Sequence, residues 1–439
     1  MTIPIISIIV YSACVALLIV GSRRAKMGAF NQDSMSLEAT KNLQGLAAIG
    51  VICHHLSQPA ANSAPMAALG QMQIFREIGF LFVALFFFVS GYGLLKSLDS
   101  KPGYLNGFLR RRCLPIVVCF YVMNVFYIVW HLLLGTNMPA SEWICKITGV
   151  SLLNDNAWFV PVILIQYLAF YVIFKNVKSR PLALALSFLV VAAQAGWFLF
   201  NKHFTWWWGP TDWWKKPGAL WLAPWYKRPI ALWYEGEWWV NSLIGFFAGL
   251  MLAQHERKIF AFLQRAYWPK LIGAALLFAA SFALRFFLYS KNIHYWLEFS
   301  GDNSTLPRVL MFSVETLQVI SGLLLVVLIR LKLWSKNAVL GFFGNITLEF
   351  YLMQALFLRQ FAIMFGWMDK GFRSPEGFRL EGWADQLKAL AYLVLVFAAT
   401  IAASFAVKFL TKKIVGLFSC GKSSQAQDAA AANDGQDAR

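Results

Sequence analysis

The chain is short of charge. Only 14% of its 439 residues are Asp, Glu, Lys or Arg, against roughly a quarter in a soluble domain. That leaves too little polar surface to cover a water-soluble globule of this size. Acidic side chains are the scarcer kind, 21 against 39 basic ones, for a net charge of +18. The six cysteines, Cys14, Cys53, Cys113, Cys119, Cys145 and Cys420, make no CxxC pair, and most lie in apolar runs. They read as packing residues, which excludes a disulfide framework or a zinc site. The basic excess sits in short loops between apolar blocks, so it reads as membrane topology rather than a nucleic-acid face.

What fills the chain is apolar sequence, 59% of it hydrophobic. A helix needs roughly 20 mostly apolar residues to cross the hydrocarbon layer. Such stretches fall near 3–21, 43–58, 75–95, 113–134, 157–174, 181–200, 238–254, 270–290, 308–330, 338–365 and 385–411. The predicted fold is therefore all-α, a polytopic transmembrane helical bundle of about 11 spans. Several spans carry Gly or polar breaks, which are tolerated where they face protein or a water-filled cavity.

The loops at 22–42, 96–112, 175–180, 255–270 and 330–337 are strongly basic, and those at 57–74 and 135–156 nearly lack Lys and Arg. The two sets alternate. The positive-inside rule then predicts cytoplasmic basic loops, an outside N-terminus and a cytoplasmic C-terminus, in the inner (plasma) membrane. The first span has no basic residues before it; Arg23, Arg24 and Lys26 follow it. That order predicts a retained anchor rather than a cleaved signal. The tail is small, polar and alanine-rich from Gly421 and is expected to be disordered.

Polar residues inside such spans are the functional candidates. The second span ends in His54-His55, and imidazole exchanges a proton near neutral pH, as a general base must. Neighbours on a helix point about 100° apart, so one of the two faces a given cavity. The alternative is an interfacial histidine bonded to a neighbouring helix. Ser90-Gly91-Tyr92-Gly93 closes the third span, as substrate contacts or as a close helix contact. Arg110, Arg111 and Arg112 stand before Pro115, as a topology anchor or a phosphate site, since guanidinium binds phosphate bidentately. Asp155 and Trp158 lead into the fifth span. Asp155 holds a substrate hydroxyl or caps the helix; Trp158 contacts substrate or anchors at the interface. Ten tryptophans fall from Trp206 to Trp239, suited to an interface or to stacking on sugar rings. Glu349 lies within the tenth span and needs a partner, with Arg285, Arg359 and the histidines as candidates.

These pieces, in this order, resemble the acyltransferase-3 family of bacterial membrane acyltransferases over roughly 41–411. Leu43-Gln44-Gly45-Leu46-Ala47-Ala48 is similar to the family's first core helix, in which a histidine follows the arginine position by eleven residues; here that is His55. Phe87-Phe88-Val89-Ser90-Gly91-Tyr92, Arg110 to Pro115, Ala157-Trp158-Phe159-Val160 and Thr347-Leu348-Glu349-Phe350-Tyr351-Leu352-Met353-Gln354 match later motifs. Gln44 stands where the family has arginine, Gln354 where it has histidine, and a helix precedes the ten-helix core.

The resemblance implies an extra helix and cytoplasmic linker at 1–40, an acyltransferase domain at 41–415 and a tail at 416–439. It implies transfer of an acyl group, usually acetyl, from cytoplasmic acyl-CoA to a hydroxyl of an extracytoplasmic glycan or lipid-linked sugar. Acetyl-CoA would be a donor substrate, with no permanently bound cofactor and no metal. His55 would be the general base or a transient acyl carrier, with His54 in reserve and Glu349 orienting a histidine or neutralising an arginine. Arg110, Arg111 and Arg112 would bind CoA phosphates. Asp155, Trp158, Ser90 and Tyr92 would contact substrate. A flippase or transporter for a lipid-linked sugar is the alternative class.

Overall fold

A computed structural model describes residues 5–26, 28–58, 72–138, 140–149, 152–200, 237–295, 305–335, 337–370 and 382–434. The tryptophan-rich segment 201–236 lies outside them. The helices are α1 (Ile5–Ile19), α2 (Leu37–Ser57), α3 (Gln73–Ser100), α4 (Leu114–Leu133), α5 (Ala140–Thr148), α6 (Phe159–Asn176), α7 (Arg180–Phe200), α8 (Trp238–Asn241), α9 (Ile244–Gln264), α10 (Tyr267–Ser290), α11 (Leu306–Lys332), α12 (Ala338–Asn345), α13 (Thr347–Met364) and α14 (Trp383–Asp434). A π turn, Leu109–Cys113, precedes α4, and a 3₁₀ turn, Asp155–Trp158, precedes α6. Two short strands, β1 (Ser22–Arg24) and β2 (Leu333–Ser335), pair antiparallel.

A helix occupies each of the eleven predicted stretches, but the count of eleven spans is not carried over. Seven helices among the described residues are long and apolar enough to cross a membrane, or eight if α12 and α13 form one bent span. α1 has 15 residues. α2 carries Glu38, Lys41, Asn42, Gln44, His54 and His55, which it tolerates because most of its residues are buried against protein. It also begins six residues before the apolar run, because the Ser36 side chain caps it by accepting from Ala39 N at 3.3 Å. The backbone of α14 continues through the expected tail to Asp434.

α3 is the centre of the bundle. Of its apolar window 67% is buried, against 22% for α10, which exposes Leu276 and Phe287 as a lipid-facing helix does. α3 meets α9 backbone to backbone. A Cβ on Gly245 would overlap the Ala84 carbonyl; one on Gly249 would overlap that of Phe88 and lie 2.7 Å from Tyr92 N. Gly91 meets the Phe246 carbonyl in the same way. Lipid gives helices no hydrophobic reason to associate, so small residues at four-residue spacing are what allow this approach.

α2 packs on α3, α12 and α13. Gly45 lies against the Leu340 carbonyl and Gly344 against that of Lys41. The predicted tenth span, 338–365, is broken by 82° between α12 and α13. Asn345 sits at the break, its Oδ1 bound by Lys41 Nζ at 2.7 Å and its carbonyl by Lys408. The extra helix α1 is tied in through Asn337 Nδ2, which donates to the carbonyls of Leu17 (2.8 Å) and Val20 (3.1 Å).

Two glycines of α3 and α9 give opposite expectations. Gly249→Leu should lower stability by about 1–3 kcal/mol or more through overpacking. Gly93, with nothing within 4 Å of its Cβ position, should gain about 0.5–1 kcal/mol as Gly93→Ala. Thermal unfolding in detergent checks both, and equal midpoints would contradict the close α3–α9 crossing.

Candidate active site

The two histidines at the end of α2 have different surroundings. His54 Nδ1 is 2.9 Å from the Phe75 carbonyl, and its Nε2 is 2.9 Å from Gln58 Nε2. A carbonyl only accepts, so Nδ1 carries the proton and Nε2 accepts from the Gln58 amide. Both ring nitrogens of His54 are engaged. The ring also lies where a Cβ on Gly79 would be, so α3 needs glycine there.

His55 points instead towards α13. It is 7% exposed, and its Nδ1 is buried without a hydrogen-bond partner. Its ring centroid is 6.5 Å from that of Tyr351. Gln354 lies within interaction reach of it but out of hydrogen-bond geometry, and both amide atoms of Gln354 are buried and unpartnered. Such groups cost about 1–3 kcal/mol each when nothing bonds them, and they are rare enough to mark a ligand or catalytic position.

Further unpartnered amides lie on the walls. Asn124, on α4, has neither amide atom bonded. It precedes Tyr127 by one turn on the same face, and Tyr127 donates to the Leu352 carbonyl of α13 at 3.3 Å. Gln166 Nε2, on α6, is likewise unpartnered. It shares a face with Phe159 two turns away, and the Phe159 ring packs 5.7 Å from that of Tyr351. Asn156 Nδ2 completes the set. Unbonded polar atoms thus occur on α2, α4, α6 and α13, and the Tyr351 ring of α13 lies near both His55 of α2 and Phe159 of α6.

The rim beyond His55 is fixed by the segment before α6. Asn154 Nδ2 donates to the Leu352 carbonyl at 2.9 Å, and its Oδ1 accepts from Asn156 N at 3.0 Å. Tyr351 donates to the Asn156 carbonyl. Asp155, half exposed, pairs with Arg359 at 3.1 Å, and Arg359 lies within electrostatic range of His55. Asp155 is therefore an ion-pair partner on the turn before α6. Trp158 is buried edge-on against Phe159.

The other predicted residues lie elsewhere. Glu349 has Lys408 and Lys412 as its charged neighbours. Arg285, considered as its partner, pairs with Glu315 (3.3 Å) and Glu77 (3.4 Å). Ser90 lies within interaction reach of Tyr167 of α6. Tyr92 donates to Glu256 of α9 at 2.8 Å, so both act between helices. Arg110, Arg111 and Arg112 ride on the π turn at the opposite end of the bundle from His55, with Arg111 and Arg112 exposed. Tyr104 holds two of them, accepting from Arg111 Nη2 on its carbonyl (2.8 Å) and from Arg112 Nε on its hydroxyl (2.9 Å). Such π turns recur at functional sites. Cys14, Cys53, Cys113 and Cys119 are free thiols, and no group of three or more His, Cys, Asp or Glu among the described residues is placed to hold a metal.

Asn124, Gln166, Asn154 and Asn156 did not stand out in the sequence as site residues. Their one signal is an amide within or beside an apolar span.

A multi-pass helical membrane protein whose two ends differ chemically is the class this architecture defines. The sequence model of the acyltransferase-3 family, described as an acyltransferase domain, matches residues 39–409, and the chain belongs to that family. No curated protein and no solved structure matches it. It is accordingly an acyltransferase.

The unpaired amides predict an inverted stability response. Gln354→Leu and Asn124→Leu remove buried unbonded groups and should leave stability unchanged or raise it by about 1–3 kcal/mol. His54→Leu strands the Phe75 carbonyl and Gln58 and should lower stability by a similar amount. Denaturation midpoints in detergent measure this, and a Gln354→Leu loss as large as that of His54→Leu would refute the unpaired state of Gln354.

Proposed function

We propose that this protein transfers an acyl group, acetyl in the first instance, from cytoplasmic acyl-CoA to a hydroxyl of an extracytoplasmic glycan or lipid-linked sugar. The observation that carries the reading is His55, a buried imidazole whose Nδ1 no protein group engages, in a chain of an acyltransferase family. The alternation of basic and base-poor loops supports an orientation with the arginine end in the cytoplasm of a plasma-membrane protein and the N-terminus outside.

In this reading His55 Nδ1 takes the proton of the acceptor hydroxyl. The oxygen attacks the thioester carbonyl, the carbon–oxygen bond forms, the carbon–sulfur bond breaks, and the CoA thiolate leaves and is reprotonated. Transient acylation of His55 followed by transfer is the two-step variant. Gln354 donates to the carbonyl oxygen as charge develops there. His54 holds α2 in place, since its nitrogens are engaged.

Arg110, Arg111 and Arg112 receive the CoA phosphates. Asn124 lies twelve residues beyond Arg112, about 18 Å along a helix axis. The donor must therefore reach inward by its flexible arm, which carries amides that Asn124 and Gln166 are suited to bond. The Asp155–Arg359 pair and Trp158 border the acceptor side.

Vesicles bearing the protein and supplied with labelled acetyl-CoA test this, with incorporation followed into extracted envelope glycan and lipid. His55→Asn should lose about 100-fold or more in rate, and His54→Gln much less at equal protein level. Full activity in His55→Asn ends the assignment. Arg111→Ala with Arg112→Ala should raise KM for acetyl-CoA with a smaller change in kcat; an unchanged KM removes the arginines from the donor site.

A further inference from the structure

Arg330 has no part in the reaction above. It stands in the last turn of α11, only 6% exposed, beside the buried Leu331. Its Nε and Nη2 are both shut off from solvent and have no hydrogen-bond partner, and among the described residues no carboxylate pairs with it. Arg110, Arg111 and Arg112 belong to a different element at the same end of the bundle.

Two ordinary explanations fall short. A long cationic side chain near a membrane surface usually snorkels, burying its stem and keeping its head in water; here Nε and Nη2 of the head are buried as well. A cation in a last helical turn is also favoured by the helix dipole. That gain is small beside the cost of burying an unpaired charge. The last carbonyls of α11 are moreover already bonded: Arg330 O accepts from Asn31 Nδ2 at 3.3 Å, Leu331 O from Asn31 N at 2.8 Å and Lys332 O from Ala25 N at 2.9 Å.

Those same bonds lay the 25–36 connection over the end of α11. Ser34, on that connection, is fully buried with its hydroxyl unpartnered. A second buried group without a partner therefore lies three residues beyond the contact with Arg330. The guanidinium edge left without a partner, Nε with Nη2, is the fork that binds two oxygens of one phosphate side-on.

We propose that Arg330 is the centre of a phosphate-binding site under the 25–36 connection, with Ser34 as a second donor. It takes the phosphate of an anionic lipid headgroup or of a soluble phosphorylated ligand, from the face that the proposed orientation puts in the cytoplasm. The site is independent of the acyl-transfer reading, and its test needs no turnover.

The full-length protein is purified in an uncharged maltoside detergent and stripped of lipid. Its thermal unfolding is followed at constant ionic strength while phosphatidylglycerol, a galactolipid without phosphate, or sodium pyrophosphate is added. The wild-type midpoint should rise saturably with phosphatidylglycerol, pyrophosphate or both, and not with the galactolipid. Response to phosphatidylglycerol alone identifies a headgroup site; response to pyrophosphate identifies a soluble ligand. Arg330→Gln should need at least ten times more of the effective ligand for half-saturation. Arg330→Lys, which keeps the charge and loses the fork, should also need more, and it decides the matter where Arg330→Gln does not fold. The proposal is overturned if neither phosphate compound raises the wild-type midpoint, or if the variants saturate as the wild type does.

Discussion

A polar atom inside an apolar bundle must be bonded by the protein or by what the protein binds. Most of this structure's organisation follows from where that condition is met. His54 meets it internally, through the Phe75 carbonyl and Gln58. His55, one residue on, leaves Nδ1 open towards Gln354. The Arg285–Glu315 pair meets it with help from Tyr295 and Asn241, which donate to Glu315 at 2.9 and 3.1 Å. Asn124, Gln166 and Gln354 leave it unmet, as His55 does.

The same condition shapes the backbone. The break between α12 and α13 frees peptide groups that lipid would not satisfy, and Lys41 and Lys408 bond Asn345 there. Glycines let α3 meet α9 and α2 meet α12 backbone to backbone. A rigid frame of this kind can hold unsatisfied side chains in place, because relaxing them would mean moving whole helices.

The helical class and the helices of the eleven apolar stretches were legible, because long apolar runs write themselves directly into composition; α5, within the 135–156 loop, and the continuation of α14 through the tail were not. The break at Asn345 was less so: Gly344-Asn345 inside an apolar run hints at it, but only the approach of Lys41 explains why the chain bends there. The two histidines looked alike in sequence, since what separates them is a carbonyl twenty-one positions from His54. Glu349 drew attention as a lone carboxylate, yet its lysines come from α14 and the arginines considered for it answer Glu315 and Asp155. Pairing of that sort depends on helix rotation, which a single sequence does not encode. Asn124 and Gln166 were passed over because uncharged amides inside spans are less conspicuous than ions.

α2 draws its contacts from α3, next in the chain, and from α12 and α13, about three hundred residues later. α1 is likewise fastened by Asn337. Insertion that proceeds hairpin by hairpin therefore delivers His55 into the bilayer long before Gln354 and Tyr351 are synthesised. Until the final third of the chain has docked, the imidazole has a helix but no pocket. Gln354 and Tyr351 reach His55 as a late event of biogenesis, so a nascent chain halted before α12 would carry the imidazole without the side chains that come to surround it.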